Sequence, residues 1–258
     1  MKITIVSRDG ERKKLDMLYR NFDVAKSGDI YIAIGGDGTF IKAAQMTEKP
    51  LLLVRDGVGG SVGYHSDIGI DDMGIAVSKL KKGEYHVEHL SNKIEIVYKG
   101  KRYLGVNEAR LNNMVEEVSF KVFETIGGRR VRIFPFVMSG DGLIITSRMG
   151  STAYNSSAGG PIILTPDVLC LTLLNVDGPY RNPIIFGPDK EIDIEIVKYE
   201  GILGFDNIHI GEVKAGDKFT VRLSDKRINI LRLNGMRESF ADKLERKIRS
   251  RMVKDFKR

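Results

Sequence analysis

The pentad Gly35-Gly36-Asp37-Gly38-Thr39 stands between the apolar run Ile30-Tyr31-Ile32-Ala33-Ile34 and the helix-like segment Phe40–Met46. A strand, a glycine turn and a helix start in that order suit an anion. Glycines let the backbone come close, and the first amides of a helix have no intrahelical acceptor. Asp37 is the anomaly, because a carboxylate repels phosphate. It needs a task, such as taking a proton from an attacking hydroxyl or holding a metal ion. A plainer reading makes Asp37 and Thr39 capping residues of the helix, and a short glycine motif alone does not separate the two.

A second dense stretch is Asp141-Gly142-Leu143 followed by Gly150-Ser151-Thr152-Ala153-Tyr154-Asn155-Ser156-Ser157-Ala158-Gly159-Gly160-Pro161. So many small and hydroxyl residues imply a backbone close to a ligand, with a tightly packed helix entry as the alternative. Neither Ser151 nor Ser157 lies in a Gly-x-Ser-x-Gly elbow, so no hydrolase nucleophile is expected. Asn107-Glu108, directly after an apolar strand, is a third candidate. In Gly57–Gly63 the dinucleotide fingerprint would require a glycine where Val62 stands, although the glycines still mark a loop at the carboxyl end of a strand. His86-Val87-Glu88-His89 puts His86 and Glu88 on one strand face and His89 on the other, so no metal cluster is expected.

Ile3–Val6, Ile30–Ile34 and Leu51–Val54 read as strands, and 11–22, 40–46 and 71–80 as helices. That alternation predicts a parallel α/β unit with right-handed crossovers. From about Tyr85 the period changes to alternation: Ile94–Tyr98 and Arg102–Val106 form a hairpin, and short strands follow at 118–123, 131–137, 143–146, 169–174, 192–197, 219–223 and 228–233. The fold class is an α/β N-terminal domain with a parallel sheet (1–85) plus a mostly β, sandwich-like C-terminal domain (86–235). A final helix carries Phe240, Leu244, Ile248 and Met252 as an apolar stripe behind a Ser239 cap; the stripe is expected to pack inward and leave the charges in solvent.

Composition sets limits on function. With 258 residues, 42% hydrophobic and 29% charged, the chain can bury a large core, and no apolar run approaches the length of a membrane span. Met1–Ser7 enters a strand directly and lacks the pattern of a signal peptide. The single cysteine, Cys170, lies in an apolar run and reads as a buried hydrophobe, so a cytoplasmic location is expected. The net charge of +7 is concentrated in Lys243, Arg246, Lys247, Arg249, Arg251, Lys254, Lys257 and Arg258. A solvated helix face accounts for that tail better than a nucleic-acid site, and neither nucleic acid nor membrane is expected as a partner.

Together the pentad, Asn107-Glu108 and the 141–161 stretch resemble the NAD kinase family in order, spacing and length across nearly the whole chain. The pentad alone is shared with phosphofructokinases and with diacylglycerol and sphingosine kinases; the long serine-threonine-alanine-tyrosine stretch is not. The resemblance implies phosphorylation of the 2′-hydroxyl of the adenosine ribose of NAD to give NADP. Asp37 would be the base, and Gly35, Gly36, Gly38 and Thr39 would cradle the donor phosphates. Tyr64, Asn107, Glu108, Thr152, Ala153, Tyr154 and Ser157 would bind NAD(H), and Asp141 would reach the dinucleotide of a neighbouring subunit in a homodimer or homotetramer. It also implies Mg²⁺, with ATP or polyphosphate as donor, a site where the two domains meet, and a C-terminal helix (236–258) that returns to the first domain. Three positions depart from the family pattern: Val58 where an asparagine is usual, Asp206-Asn207 in place of an Asp-Gly pair, and Arg148-Met149 at a proline position. A kinase with a sugar-phosphate or lipid acceptor, or a non-catalytic nucleotide-binding module, is the alternative.

Overall fold

The computed structural model describes residues 1–7, 12–57 and 62–255. Glu11, the 58–61 part of the glycine loop with Val58, and Lys257 and Arg258 lie outside the described residues. The chain forms two compact units, one of residues 1–89 and 228–258, the other of 90–227.

The first unit opens with β1 (Lys2–Ser7), α1 (Arg12–Asn21), β2 (Asp23–Val24), β3 (Ile30–Ile34), α2 (Asp37–Met46), β4 (Leu51–Arg55), β5 (Ile68–Gly69) and α3 (Met73–Lys82). All five residues of β3 are buried, as expected of a parallel strand covered on both faces. β1 pairs with β2 and β3, β3 with β4, and β4 with β5, each in parallel. Ile32, Ile34, Leu52 and Val54 of this sheet meet Leu15 and Leu18 of α1 and Val77 and Leu80 of α3 in one core. α2 begins at Asp37, three residues before the expected Phe40. Gly36, extended at φ −100°, is its N-cap and no side chain caps it. Asp37 and Thr39 therefore occupy the first turn, where an acid is favoured by the helix dipole, and do not serve as caps.

The second unit takes over within β6 (Tyr85–Tyr98), where the hydrophobic period changes. β7 (Lys101–Gly105), β8 (Glu108–Asn113), β9 (Val118–Ile126), β10 (Arg129–Arg132), β11 (Met138–Gly140) and β12 (Gly142–Thr146) follow. After a short helix α4 (Tyr154–Ser157) come β13 (Leu169–Leu174), β14 (Ile184–Phe186), β15 (Glu191–Lys198), β16 (Gly201–Phe205) and β17 (Ile208–Val213). One sheet runs β14-β13-β12-β8-β16-β17 and is antiparallel throughout. A second contains β10, β9 and β15, also antiparallel. Inward residues of both, among them Leu111, Leu143, Leu171, Phe120, Val122 and Ile194, share one core, as in a sandwich.

The last strand, β18 (Lys218–Leu233), joins the two separately expected runs 219–223 and 228–233, with no glycine or proline between them to end the pairing. Its late residue Ile230 pairs in parallel with Leu51 of β4. α5 (Phe240–Asp255) completes the first unit. Ser239 caps it, accepting the Asp242 N–H at 3.1 Å. The face that α5 buries differs from the expected one: Phe240, Ile248 and Met252 are exposed, while Lys243 is 9% exposed and reaches Asp67 at 2.5 Å. The i, i+4 stripe drifts around the helix, and opposite charges on the 62–67 segment and Glu238 draw the cationic face inward instead. No described helix is long and apolar enough to cross a membrane.

Candidate active site

Two clusters hold the residues singled out from the sequence, one in each unit. In the first unit β3 delivers the chain to Gly35, whose φ of +147° suits glycine and whose N–H bonds to the Val54 carbonyl at 2.9 Å. The first intrahelical bond of α2 runs from Phe40 N–H to Gly36 O, at 3.1 Å. The amides of Asp37, Gly38 and Thr39 thus form the acceptor-less first turn that attracts anions. Gly38 is exposed and the Thr39 side chain is buried, so Thr39 offers its backbone to this turn.

Asp37 is partly buried, and its Oδ1 accepts the Tyr64 N–H at 2.8 Å. Burial pushes its carboxyl above the usual carboxylate range. The Tyr64 amide, the charges of Lys247 and Arg246, and the His65 amide pull in the opposite direction. Tyr64 is itself buried, edge-on to His65 at 5.1 Å, with the Lys247 ammonium 5.4 Å from its ring centre. His65 in turn packs against Phe40 of α2.

In the second unit Asn107 and Glu108 lie where the chain enters β8. The Asn107 carbonyl accepts from Thr146 Oγ1 at 2.9 Å and from Ser147 N–H at 3.2 Å. A side chain at Gly150 would collide with that carbonyl, its Cβ falling 2.4 Å away, so glycine is what lets the 150–157 stretch lie against Asn107. Glu108 is 4% exposed and its Oε2 has no hydrogen-bond partner among the described residues. Burial first, and then the nearby Asp206 carboxylate, push its carboxyl up to about 8, against the weaker opposing charge of Arg110.

Thr152 is buried, Ala153 partly so, and Tyr154 and Ser157 are exposed on the short α4. The Tyr154 hydroxyl accepts from Asn112 Nδ2 at 3.4 Å. Asp141 is held by Asn113 Nδ2 at 3.1 Å and Asn175 Nδ2 at 2.6 Å. Arg148, at the family's proline position, donates to the Leu90 carbonyl at 3.2 Å. Elsewhere, the Glu88 carboxylate is taken by Arg232 and Arg237 and His86 meets Asn234, so the 86–89 stretch is tied into ion pairs and hydrogen bonds.

Several residues that shape these clusters were not singled out as site residues from the sequence. The Asp206 carboxylate accepts the amides of Val106, at 3.0 and 3.1 Å, and Asn107, at 2.7 Å, and so fixes the entry to β8. Only its place in an Asp-Asn turn hinted at this. Asn155, fully buried, accepts from Thr172 at 2.7 Å and donates to Pro161 O at 3.0 Å, anchoring α4 to β13. Its signal was submerged in a stretch of similar small polar residues. Arg246 was read as part of a solvated tail.

Residues 131–233 match the ATP-NAD kinase C-terminal domain. The class is therefore a phosphotransferase with an alcohol acceptor, and curated relatives make it particular. The chain is 31% identical over 243 residues to the NAD kinase of Thermoplasma acidophilum, a match covering 91% of this chain and 84% of the relative. It is 33% identical over 246 residues to the NAD kinase of Acetivibrio thermocellus, covering 89% and 80%. The chain belongs to the NAD kinase family. Among solved structures, yeast NADH kinase complexed with NADH matches with a TM-score of 0.76 at 16% identity, covering 95% of this chain and 86% of the other. An NAD kinase from Archaeoglobus fulgidus in complex with ATP matches at 0.73 and 19%, covering 95% and 99%, so the fold is shared as well.

Proposed function

We propose that this protein phosphorylates the 2′-hydroxyl of the adenosine ribose of NAD, with Asp37 as general base. The observation that carries the reading is a carboxylate in the first turn of α2, oriented by the Tyr64 amide and accompanied by two cations, Lys247 and Arg246. A carboxylate has no value for phosphate binding itself. Its value lies in accepting the hydroxyl proton as the ribose oxygen attacks the terminal phosphorus of the donor and the donor's remaining phosphate leaves. The amides of Asp37, Gly38 and Thr39, with Gly35 and Gly36, cradle the donor phosphates, ATP or polyphosphate. The dinucleotide falls to Tyr64, Asn107, Glu108, Thr152, Ala153, Tyr154 and Ser157, and Asp141 serves the neighbouring subunit of a homo-oligomer. Glu108, a neutral carboxyl at pH 7 by its raised pKa, donates a hydrogen bond to a ribose oxygen.

Mg²⁺ accompanies the donor and neutralises the charge of its phosphates. Among the described residues no three His, Cys, Asp or Glu form a cage, which accords with an ion whose ligands are mostly phosphate and water. The test is a matrix of ATP or polyphosphate with Mg²⁺ against NAD, NADH, fructose 6-phosphate and diacylglycerol, read by product chromatography. NADP from NAD is the expected product. Transfer only to the sugar phosphate or lipid, or to no acceptor, would overturn the reading.

A further inference from the structure

The inward-facing cations of α5 do more than seat the helix. The Arg246 guanidinium reaches the 62–66 segment at three carbonyls: Nε to Val62 O at 3.1 Å, and Nη2 to Gly63 O at 3.1 Å and Ser66 O at 3.2 Å. Its Nη1 pairs with Glu238, whose other oxygen binds Arg55 at 3.0 Å, and Arg55 also donates to Ser66 O at 3.1 Å. Two guanidinium groups and one carboxylate thus grip a segment of five residues. In its middle stands Tyr64, whose amide holds Asp37. A planar, five-donor fork is what makes three simultaneous carbonyl contacts feasible, and lysine cannot reproduce it.

We infer that Arg246 is a positioning residue of the phosphotransfer site: from the C-terminal helix it fixes the Tyr64 amide, and through it the direction of the Asp37 carboxylate. The inference rests on the role proposed for Asp37. Among the described residues, the charged and titratable groups around the segment are Lys243, Arg246 and Lys247 of α5, Glu238 before it, Arg55 at the end of β4, Arg232 of β18, which donates to the His65 carbonyl at 3.3 Å, His65 and Tyr64 within the segment, and Asp67 just after it, paired with Arg232 and Lys243. Losing Arg246 removes a positive charge near Asp37 and loosens the amide that binds it. Both changes favour the protonated carboxyl, so the acid limb of the rate profile must move to higher pH.

The experiment compares wild type, Arg246→Met, Arg246→Lys and Glu238→Gln, with Arg249→Met as control, since among the described residues Arg249 pairs only with the exposed Glu245 of its own helix. In Arg246→Met, kcat is expected to fall on the order of tenfold to a hundredfold, the cost of a misplaced catalytic group. KM for NAD should change less than about twofold, and the acid limb should shift upward. Hydrogen exchange of the Tyr64 amide should accelerate at least about tenfold. Arg246→Lys should recover only part of the loss. Glu238→Gln, which keeps the shape and loosens both guanidiniums, should shift the limb in the same direction by less and serves if Arg246→Met does not fold. A lowered melting temperature with wild-type kcat, acid limb and Tyr64 exchange would overturn the inference. If wild type phosphorylates no dinucleotide, the proposed function fails and with it the phosphotransfer role, while unchanged Tyr64 exchange in Arg246→Met would separately overturn the claim that Arg246 fixes the Tyr64 amide.

Discussion

Asp37, partly buried, and Glu108, buried, are two carboxyl groups that their surroundings treat in opposite ways. Burial raises the pKa of both. Asp37 is met by the Tyr64 amide and by the charges of Lys247 and Arg246, all of which favour its ionised form. Glu108 is met by a second carboxylate, Asp206, and keeps one oxygen without a partner among the described residues, which favours the neutral form. One functional group thus meets two different environments, which suits the base proposed for Asp37 in one unit and the hydrogen-bond donor proposed for Glu108 in the other. The carboxyl group is common to both; the neighbours differ.

The largest expected effect separates the two directly. Asp37→Asn keeps shape and removes the proton acceptor, so NADP formation should drop at least about a hundredfold with the protein still folded. Near-normal turnover would remove Asp37 from the chemistry. Glu108→Gln should behave otherwise, because glutamine resembles a neutral carboxyl: kcat is expected to stay within about tenfold.

The same variant reports on stability. A carboxyl raised from 4.5 to about 8 contributes stability that is complete below pH 4.5 and is lost as pH rises to about 8. Between pH 6 and 8 the wild type should lose about 2 to 3 kcal/mol from this source, at about 1.4 kcal/mol per pH unit. Denaturant melts of Glu108→Gln across that range should lack this loss, and a slope equal to wild type would contradict the assignment.

Smaller effects sharpen the contrast. Asp206→Asn removes the neighbouring charge, so Glu108 should titrate below 8 and the stability loss should end at a lower pH. The weakened bonds to the Val106 and Asn107 amides should cost about 1 to 2 kcal/mol in the same melts. Thr172→Val, which deletes the hydroxyl that bonds the buried Asn155 and meets the Cys170 thiol, should cost about 1 kcal/mol and raise KM for NAD with kcat unchanged. An unchanged KM would separate the anchoring of α4 by Asn155 from the dinucleotide binding proposed for Tyr154 and Ser157.

What the sequence made legible follows from local rules. β3 and its glycine turn announce themselves because a short apolar run rich in β-branched residues and closed by glycines suits a strand buried on both faces. The alternation after Tyr85 likewise marks the antiparallel unit, since half-covered strands must alternate. The start of α2 was misjudged by three residues because Gly38 reads as loop, whereas the acid at Asp37 favours the first turn. The buried face of α5 was misjudged for a different reason. Hydrophobic period assigns apolar side chains inward, but Asp67, Glu238 and three carbonyls of the 62–66 segment compensate Lys243 and Arg246, and all of these partners except Glu238 are remote in sequence. Asp206 was hidden in the same way: its work is done on the amides of Val106 and Asn107, a hundred positions earlier in the chain. Chemistry that depends on a residue's own type was readable; chemistry conferred by distant neighbours was not.

The contrast between the two carboxyl groups is tested most directly by following both in one titration. Selective ¹³C labelling of aspartate and glutamate carboxyls, with signals assigned by Asp37→Asn and Glu108→Gln, reads each group across pH 3 to 10. The expected result is that Asp37 gives up its proton first and that Glu108 holds its own until about pH 8. Glu108 titrating near 4.5, or ahead of Asp37, would contradict the assignment of base and donor.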